Sequence, residues 1–112
     1  VKLLLDRKDV EINSRDTKGW TPLSWAADQG HHDVVKLLLA YKKIEVDSRD
    51  TSRRTPLSRA AEQGHRDVME LLLSRNEVDV NSRDEDGWTP LFWAARHGHQ
   101  AVVKLLLTHK GV

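Results

Sequence analysis

Apolar and polar positions alternate along this chain in two rhythms, one helical and one extended. Between Thr21 and Gly30 the apolar residues Leu23, Ala26 and Ala27 fall on one side of a helix at about 100° per residue, with Trp25, Asp28 and Gln29 on the other. Thr21 followed by Pro22 is a helix start: the hydroxyl can accept from a first-turn amide, and proline at the first helical position loses no hydrogen bond. Gly30 then ends the helix in the manner of a left-handed cap, leaving about two turns. A second helix is predicted over about 32–41, where Val34, Val35, Leu37, Leu38 and Leu39 cover more than one narrow stripe and so demand cover from several sides. Ile44 and Val46 then alternate with polar residues as a short extended segment, and Asp50 is placed to bond nearby amides and close a turn.

The whole pattern recurs with a 34-residue step. Thr21, Pro22 and Leu23 return as Thr55, Pro56 and Leu57 and again as Thr89, Pro90 and Leu91, and Leu37–Leu39 return at 71–73 and 105–107. Asp16, Asp50 and Asp84, each after Ser and Arg, keep the same step. A unit of two short helices and a protruding hairpin cannot bury its faces alone, so the units are expected to stack, each covered by its neighbours. The expected organisation is one array over 1–112: a partial repeat over 1–15, repeats over 16–49 and 50–83, and a repeat over 84–112 that lacks its following hairpin. "VKLLL" at Val1 matches the end of a second helix, and neither end of the chain reads as a polar cap. The expectation is a piece of a longer array, or an unusually blunt one, whose end faces self-associate.

Composition narrows the chemistry. The 112 residues suffice for one domain with a modest core. Eighteen basic side chains stand against 17 acidic ones, so no net field marks the molecule as a binder of nucleic acid or membrane. The absence of cysteine removes disulfides, thiolate zinc sites and cysteine nucleophiles together. No apolar run approaches the roughly 18 residues that span a bilayer, and the amino-terminal segment is too short and too charged for a signal peptide, so a cytoplasmic location is expected.

"DTKGWTPLSWAADQGHHDVVKLLL" resembles the ankyrin repeat, and the resemblance covers essentially the whole chain, because TPL, AA, G-H and V-V-x-L-L-L follow one another in order. It implies an all-α solenoid of stacked helix-turn-helix units with short hairpin loops. The tryptophan-bearing "GWTPLSWAA" and the 34-residue step, one more than the usual ankyrin period, are most similar to arrays at the carboxyl end of fungal NOD-like NTPase receptors of innate immunity. Three departures stand out. Ser24, Ser58 and Phe92 replace the family's histidine after TPL; no glycine follows the second helix; and Arg53 stands at the hairpin-tip glycine, where the family pattern implies a positive φ. A non-glycine residue there costs on the order of 1 kcal/mol if that conformation is kept, so a differently shaped middle fingertip is expected.

The middle repeat also puts arginine where its neighbours put tryptophan. Trp25, Arg59 and Trp93 share one repeat position and Trp20, Arg54 and Trp88 another. Packed helices lie about 8–10 Å apart, a gap an arginine bridges by stacking on the rings on either side, so each set is expected to form a straight column. The first set is read in two ways, as a binding surface, since Trp and Arg are enriched at interface hot spots, or as a shield over the grooves between repeats. The second set is read as packing. By the ankyrin resemblance, partners contact the first-helix face and the hairpin tips, which adds Asp28, Gln29, Glu62, Gln63, Arg96 and His97 on helices and Lys18, Ser52, Arg53 and Asp86 at tips.

No catalysis, cofactor or metal is expected. His31, His65 and His99 recur a full repeat apart, too far to share an ion at zinc-ligand distances of about 2.0–2.1 Å, and are read as structural groups at the start of the second helix. The aspartates recur with the repeat and are read as turn residues, and the glycines are scattered singly with no phosphate-cradling loop. Arg49, Arg53, Arg54 and Arg59 form a local basic cluster, but Asp50, Glu62 and Asp67 dilute it, so a solvated strip is preferred over nucleic-acid binding. The resulting expectation is a non-enzymatic module that recognises a protein or peptide on its concave first-helix face and tips. The competing reading is a structural spacer or an engineered repeat protein without a ligand.

Overall fold

The computed structural model describes residues 11–109, so the VKLLL segment and most of the partial repeat expected over 1–15 lie outside the described residues. Six helices follow in order: α1 Pro22–Gln29, α2 His32–Leu39, α3 Pro56–Gln63, α4 Arg66–Leu73, α5 Pro90–Arg96 and α6 Gln100–Thr108. The first helices α1, α3 and α5 lie side by side as one layer, the second helices α2, α4 and α6 as another, and each first helix packs on the second helix that follows it. The fold is the all-α stack that the pattern predicts.

Local chemistry starts and stops each first helix. Thr21, Thr55 and Thr89 sit in extended conformation and their Oγ1 atoms accept from the amides of Ser24, Ser58 and Phe92 at 3.2, 3.2 and 3.3 Å, with proline next in the chain. Gly30 and Gly64 take left-handed φ values of 73° and 76°, which turn the chain sharply into the second helix. The second helices end differently, with Ala40 and Ser74 in right-handed conformation, so no glycine is needed there.

Alanine lets the layers close. Leu23, Ala26 and Ala27, then Leu57, Ala60 and Ala61, then Ala94 are buried on the first helices and face Val35, Leu38, Val68, Met69, Leu72, Val102 and Leu106 of the second. Each large apolar side chain so buried contributes about 1.5–3 kcal/mol. Ile44, Val46 and Val80 continue the core into the connections. The extended segment predicted there is not a strand among the described residues: the Ile44 amide donates to the Tyr41 carbonyl at 3.2 Å, and the connection turns while still burying alternate residues.

Polar bonds then tie one unit to the next. The His65 ring packs on Gly30, and its Nε2–H donates to the Asp28 carbonyl at 3.0 Å; His99 repeats the contact one unit on, against Gly64 and the Glu62 carbonyl at 2.7 Å. A carbonyl can only accept, so both rings carry their proton on Nε2. Arg75 reaches back to the Leu39 carbonyl at 2.7 Å. At the tips, the Thr51 amide donates to the Lys18 carbonyl and the Glu85 amide to the Ser52 carbonyl, at 3.0 and 3.1 Å. These links replace any that a histidine after TPL would make: Ser24 bonds within its own helix start, Ser58 accepts from Arg54, and Phe92 packs on Trp88.

Candidate recognition surface

The exposed side of the first-helix layer is built on three aspartates. Asp16 Oδ1 accepts the amides of Lys18 and Trp20, both at 2.9 Å, and its Oδ2 accepts the indole N–H of Trp25 at 2.9 Å. Asp84 treats the amides of Asp86 and Trp88 and the indole of Trp93 in the same way, all at 2.9 Å. In the middle repeat Asp50 Oδ1 accepts the amides of Ser52 and Arg54, and Oδ2 accepts Arg59 Nε at 3.1 Å and Nη2 at 2.7 Å. One oxygen thus closes the turn while the other holds the side chain nine residues on. Indole and guanidinium both offer an N–H to that oxygen, so Arg59 substitutes for tryptophan without loss of the bond. Sequence reasoning assigned the aspartates to turns alone; the constant spacing of Asp16 to Trp25, Asp50 to Arg59 and Asp84 to Trp93 was the available signal for the second role.

The rings and cations do not form the straight columns expected. The Arg59 guanidinium carbon lies 4.4 Å from the Trp20 ring centre, and that of Arg54 lies 4.0 Å from the Trp93 ring centre. Each middle-repeat arginine therefore crosses diagonally to the other repeat position in a neighbouring unit. Arg96 lies 5.2 Å from the Trp88 ring centre within its own repeat. Trp20 packs against Trp25 at 4.4 Å, and Trp88 against Trp93 and Phe92 at 4.6 and 4.3 Å.

Arg54 is only 6% exposed. It donates through Nε to Ser58 Oγ and through Nη2 to the Ser58 carbonyl, both at 3.2 Å, and pairs with Glu62 Oε1 at 2.8 Å. Burial and then the adjacent Arg59 charge push its pKa below the usual arginine value, opposed by Glu62. Glu62 also faces Arg59 at 3.9 Å and His97 at 3.8 Å. Asp16 is held below the usual carboxylate range chiefly by the Trp20 amide.

The residues singled out from sequence fall into three environments. Trp25 is 47% exposed, and Phe92, which sequence reasoning left out of the surface, is 45% exposed. Gln29, Gln63, Arg96 and His97 are exposed beside them, and Asp28, half-buried, accepts from both Gln29 and Gln63. Trp93 is half-buried with His97 stacked on it at 6.0 Å, whereas the Arg59 side chain is 15% exposed and engaged on Asp50. Lys18, Arg53 and Asp86 are exposed at the tips, with Ser52 half-buried among them.

Arg53 adopts φ +62°, and its amide donates to the Asp50 carbonyl at 2.8 Å, matching Gly19 to Asp16 and Gly87 to Asp84 at 2.9 Å. The middle fingertip therefore keeps the family shape under strain, contrary to the expectation of a different one, because the Asp50 bonds determine the turn.

The family model of ankyrin repeats in three copies matches this chain over residues 1–84 and again over 45–112. The chain belongs to the ankyrin-repeat family. Comparison with curated proteins finds no match. Ankyrin repeats are in general protein–protein interaction modules and in general not enzymes. Among the described residues of this ankyrin array, no group of three or more histidine, cysteine, aspartate or glutamate side chains is placed to hold a metal ion. No helix among them is long and apolar enough to cross a membrane.

Proposed function

We propose that this array recognises a protein or peptide noncovalently along the exposed side of its first helices and at its hairpin tips. The observation that carries this reading is the pair of large apolar side chains, Trp25 and Phe92, left about half exposed on that layer. Exposed aromatic groups rimmed by polar ones such as Gln29, Gln63, Arg96 and His97 have the composition of an interface centre and rim. A rigid stack lowers the ordering cost of binding. Lys18, Ser52, Arg53 and Asp86 at the tips adjust specificity. The array is read as one unit over 1–112, the sensor part of a longer cytoplasmic receptor; the tryptophan-bearing "GWTPLSWAA" and the 34-residue step support that attribution. Self-association through the end faces belongs to the same reading. Sedimentation showing monomer alone at high concentration would remove that part.

The test is selection of displayed random peptides on the immobilised domain, followed by binding to a Trp25→Ala, Phe92→Ala double variant shown by circular dichroism to be folded. Peptides retained by the parent and lost by the variant are expected. Equal retention by both would move the site elsewhere, and no retention by either would favour a spacer.

A further inference from the structure

One repeat position, held by Asn13, Asp47 and Asn81, lies in the connections between units. Asn13 uses it to bridge to the next connection by two bonds: its Oδ1 accepts the Glu45 amide at 2.9 Å and its Nδ2 donates to the Lys43 carbonyl at 2.7 Å. A backbone amide can only donate and a carbonyl only accept, so the bridge needs one acceptor and one donor. Asp47 stands 34 residues on, with residues 77 and 79 in place of Lys43 and Glu45. Its Oδ2 accepts the Asp79 amide at 2.8 Å, as Asn13 Oδ1 accepts that of Glu45. Its Oδ1 corresponds to Asn13 Nδ2, and it is buried with no partner. Among the described residues no hydrogen bond is made to the Glu77 carbonyl either. Both groups lie in the interior of the array, between the first and middle repeats.

Ionised, Asp47 brings two acceptors to a place that needs an acceptor and a donor. A carboxylic acid, like an amide, supplies one of each, and its O–H can make the bond that Asn13 Nδ2 makes. The surroundings favour the acid. Burial acts first against the charged form, the Asp79 amide for it, the Asp79 carboxylate against it, Arg49 for it and Glu77 against it, and the balance raises the pKa. Arg49 directs Nη1 to the Arg83 carbonyl at 3.4 Å, and Arg75 pairs with Glu77 at 3.0 Å, so both guanidinium groups are engaged elsewhere.

We propose that Asp47 is a proton-operated clamp between the first and middle repeats: protonated, its carboxyl donates to the Glu77 carbonyl while accepting the Asp79 amide; ionised, it keeps only the second bond and sets a charge against the carbonyl. The proton is exchanged with solvent, and the junction is tighter in acid. Because the folded pKa is the raised one, the contribution of the clamp is full below the unfolded value of 3.8 and is lost as pH rises through the folded value. The device is independent of where on the surface a partner binds.

The test is a ¹³C NMR pH titration of the intact chain that follows the Asp47 side-chain carboxyl and the Glu77 backbone carbonyl, beside urea unfolding of the parent and Asp47→Asn at pH 4 and pH 7. Asp47 is expected to titrate above the ordinary 3.8, and the Glu77 carbonyl to move at the same midpoint, a movement absent from Asp47→Asn. Asparagine supplies the donor at every pH, so the variant's urea midpoint should exceed the parent's by about 0.5 M at pH 7 and by less than half of that at pH 4. An Asp47 midpoint at or below 3.8, a Glu77 carbonyl that does not follow it, or an asparagine advantage equal at the two pH values would each overturn the proposal. So would an Asp47 midpoint that falls when calcium replaces sodium at constant ionic strength, which would put a metal ion where the proton is assigned. The carboxyl titration uses the parent chain and does not depend on any variant folding.

Discussion

Replacing Arg53 by glycine should stabilise the protein. Arg53 is exposed and holds φ +62°, a conformation that costs an L-residue about 1–2 kcal/mol through contact of its Cβ with the backbone. Glycine removes that cost but adds unfolded-chain freedom worth about 0.4–1 kcal/mol, so the net gain is about 0.5–1 kcal/mol. For a domain of this size the gain corresponds to roughly 2–5 °C in Tm, or about 0.3 M in the urea midpoint at unchanged slope. Arg53→Ala is the control: it removes the charge, keeps the Cβ, and should leave the midpoint close to the parent's. The reverse substitutions separate strain from collision. A methyl group on Gly87 meets nothing within 4 Å, so Gly87→Ala should cost only the backbone term of about 1 kcal/mol, whereas one on Gly19 lies 3.0 Å from Asp50 Cα and Thr51 N. Gly19→Ala should therefore be the more destabilising of the two. An Arg53→Gly midpoint equal to or below that of Arg53→Ala would refute the argument, because it would mean that the tip relaxes away from the left-handed conformation at no cost.

Asp50→Ala removes both the turn acceptor and the counterion of Arg59, and with the Asp50 side chain buried should cost about 3–5 kcal/mol in urea unfolding; Asp16→Ala, on an exposed carboxylate, should cost clearly less. Gly64→Ala puts a methyl 2.5 Å from His99 Nδ1 while Gly98→Ala meets nothing, so the first should be the more destabilising, and a Gly64→Ala, His99→Ala cycle should show coupling of at least about 0.5 kcal/mol. Asp47, with Oδ1 buried and unbonded in the described protein, has its pKa raised by burial, so the folded state holds the proton more tightly than the unfolded chain. Stability from this group is full below the unfolded value of 3.8 and is lost as pH rises through the folded pKa, so Asp47→Asn should raise the urea midpoint at pH 7 and flatten that part of the profile.

The period, the helix starts at Thr21, Thr55 and Thr89, the glycine caps and the buried Leu-Ala-Ala stripe were all legible in the sequence. They are local: a hydroxyl reaching the third residue on, a backbone angle open to glycine, a face repeating every 3.6 residues. The turn role of the aspartates was legible for the same reason. What only the tertiary structure decided is which groups meet between units. Equivalent positions invited straight columns, yet the long reach of an arginine lets Arg59 find Trp20 and Arg54 find Trp93 on the diagonal. The burial of Arg54, held by Ser58 and Glu62 beneath the Trp93 ring of the next unit, is decided by the same contacts. Likewise the strain at Arg53 was readable as a possibility, but its retention depends on two Asp50 hydrogen bonds and a tip-to-tip backbone bond whose partner sits in the next unit. Helix ends and turns are decided within a few residues of chain, whereas these contacts depend on the rotation and translation between stacked units, which no local rule encodes.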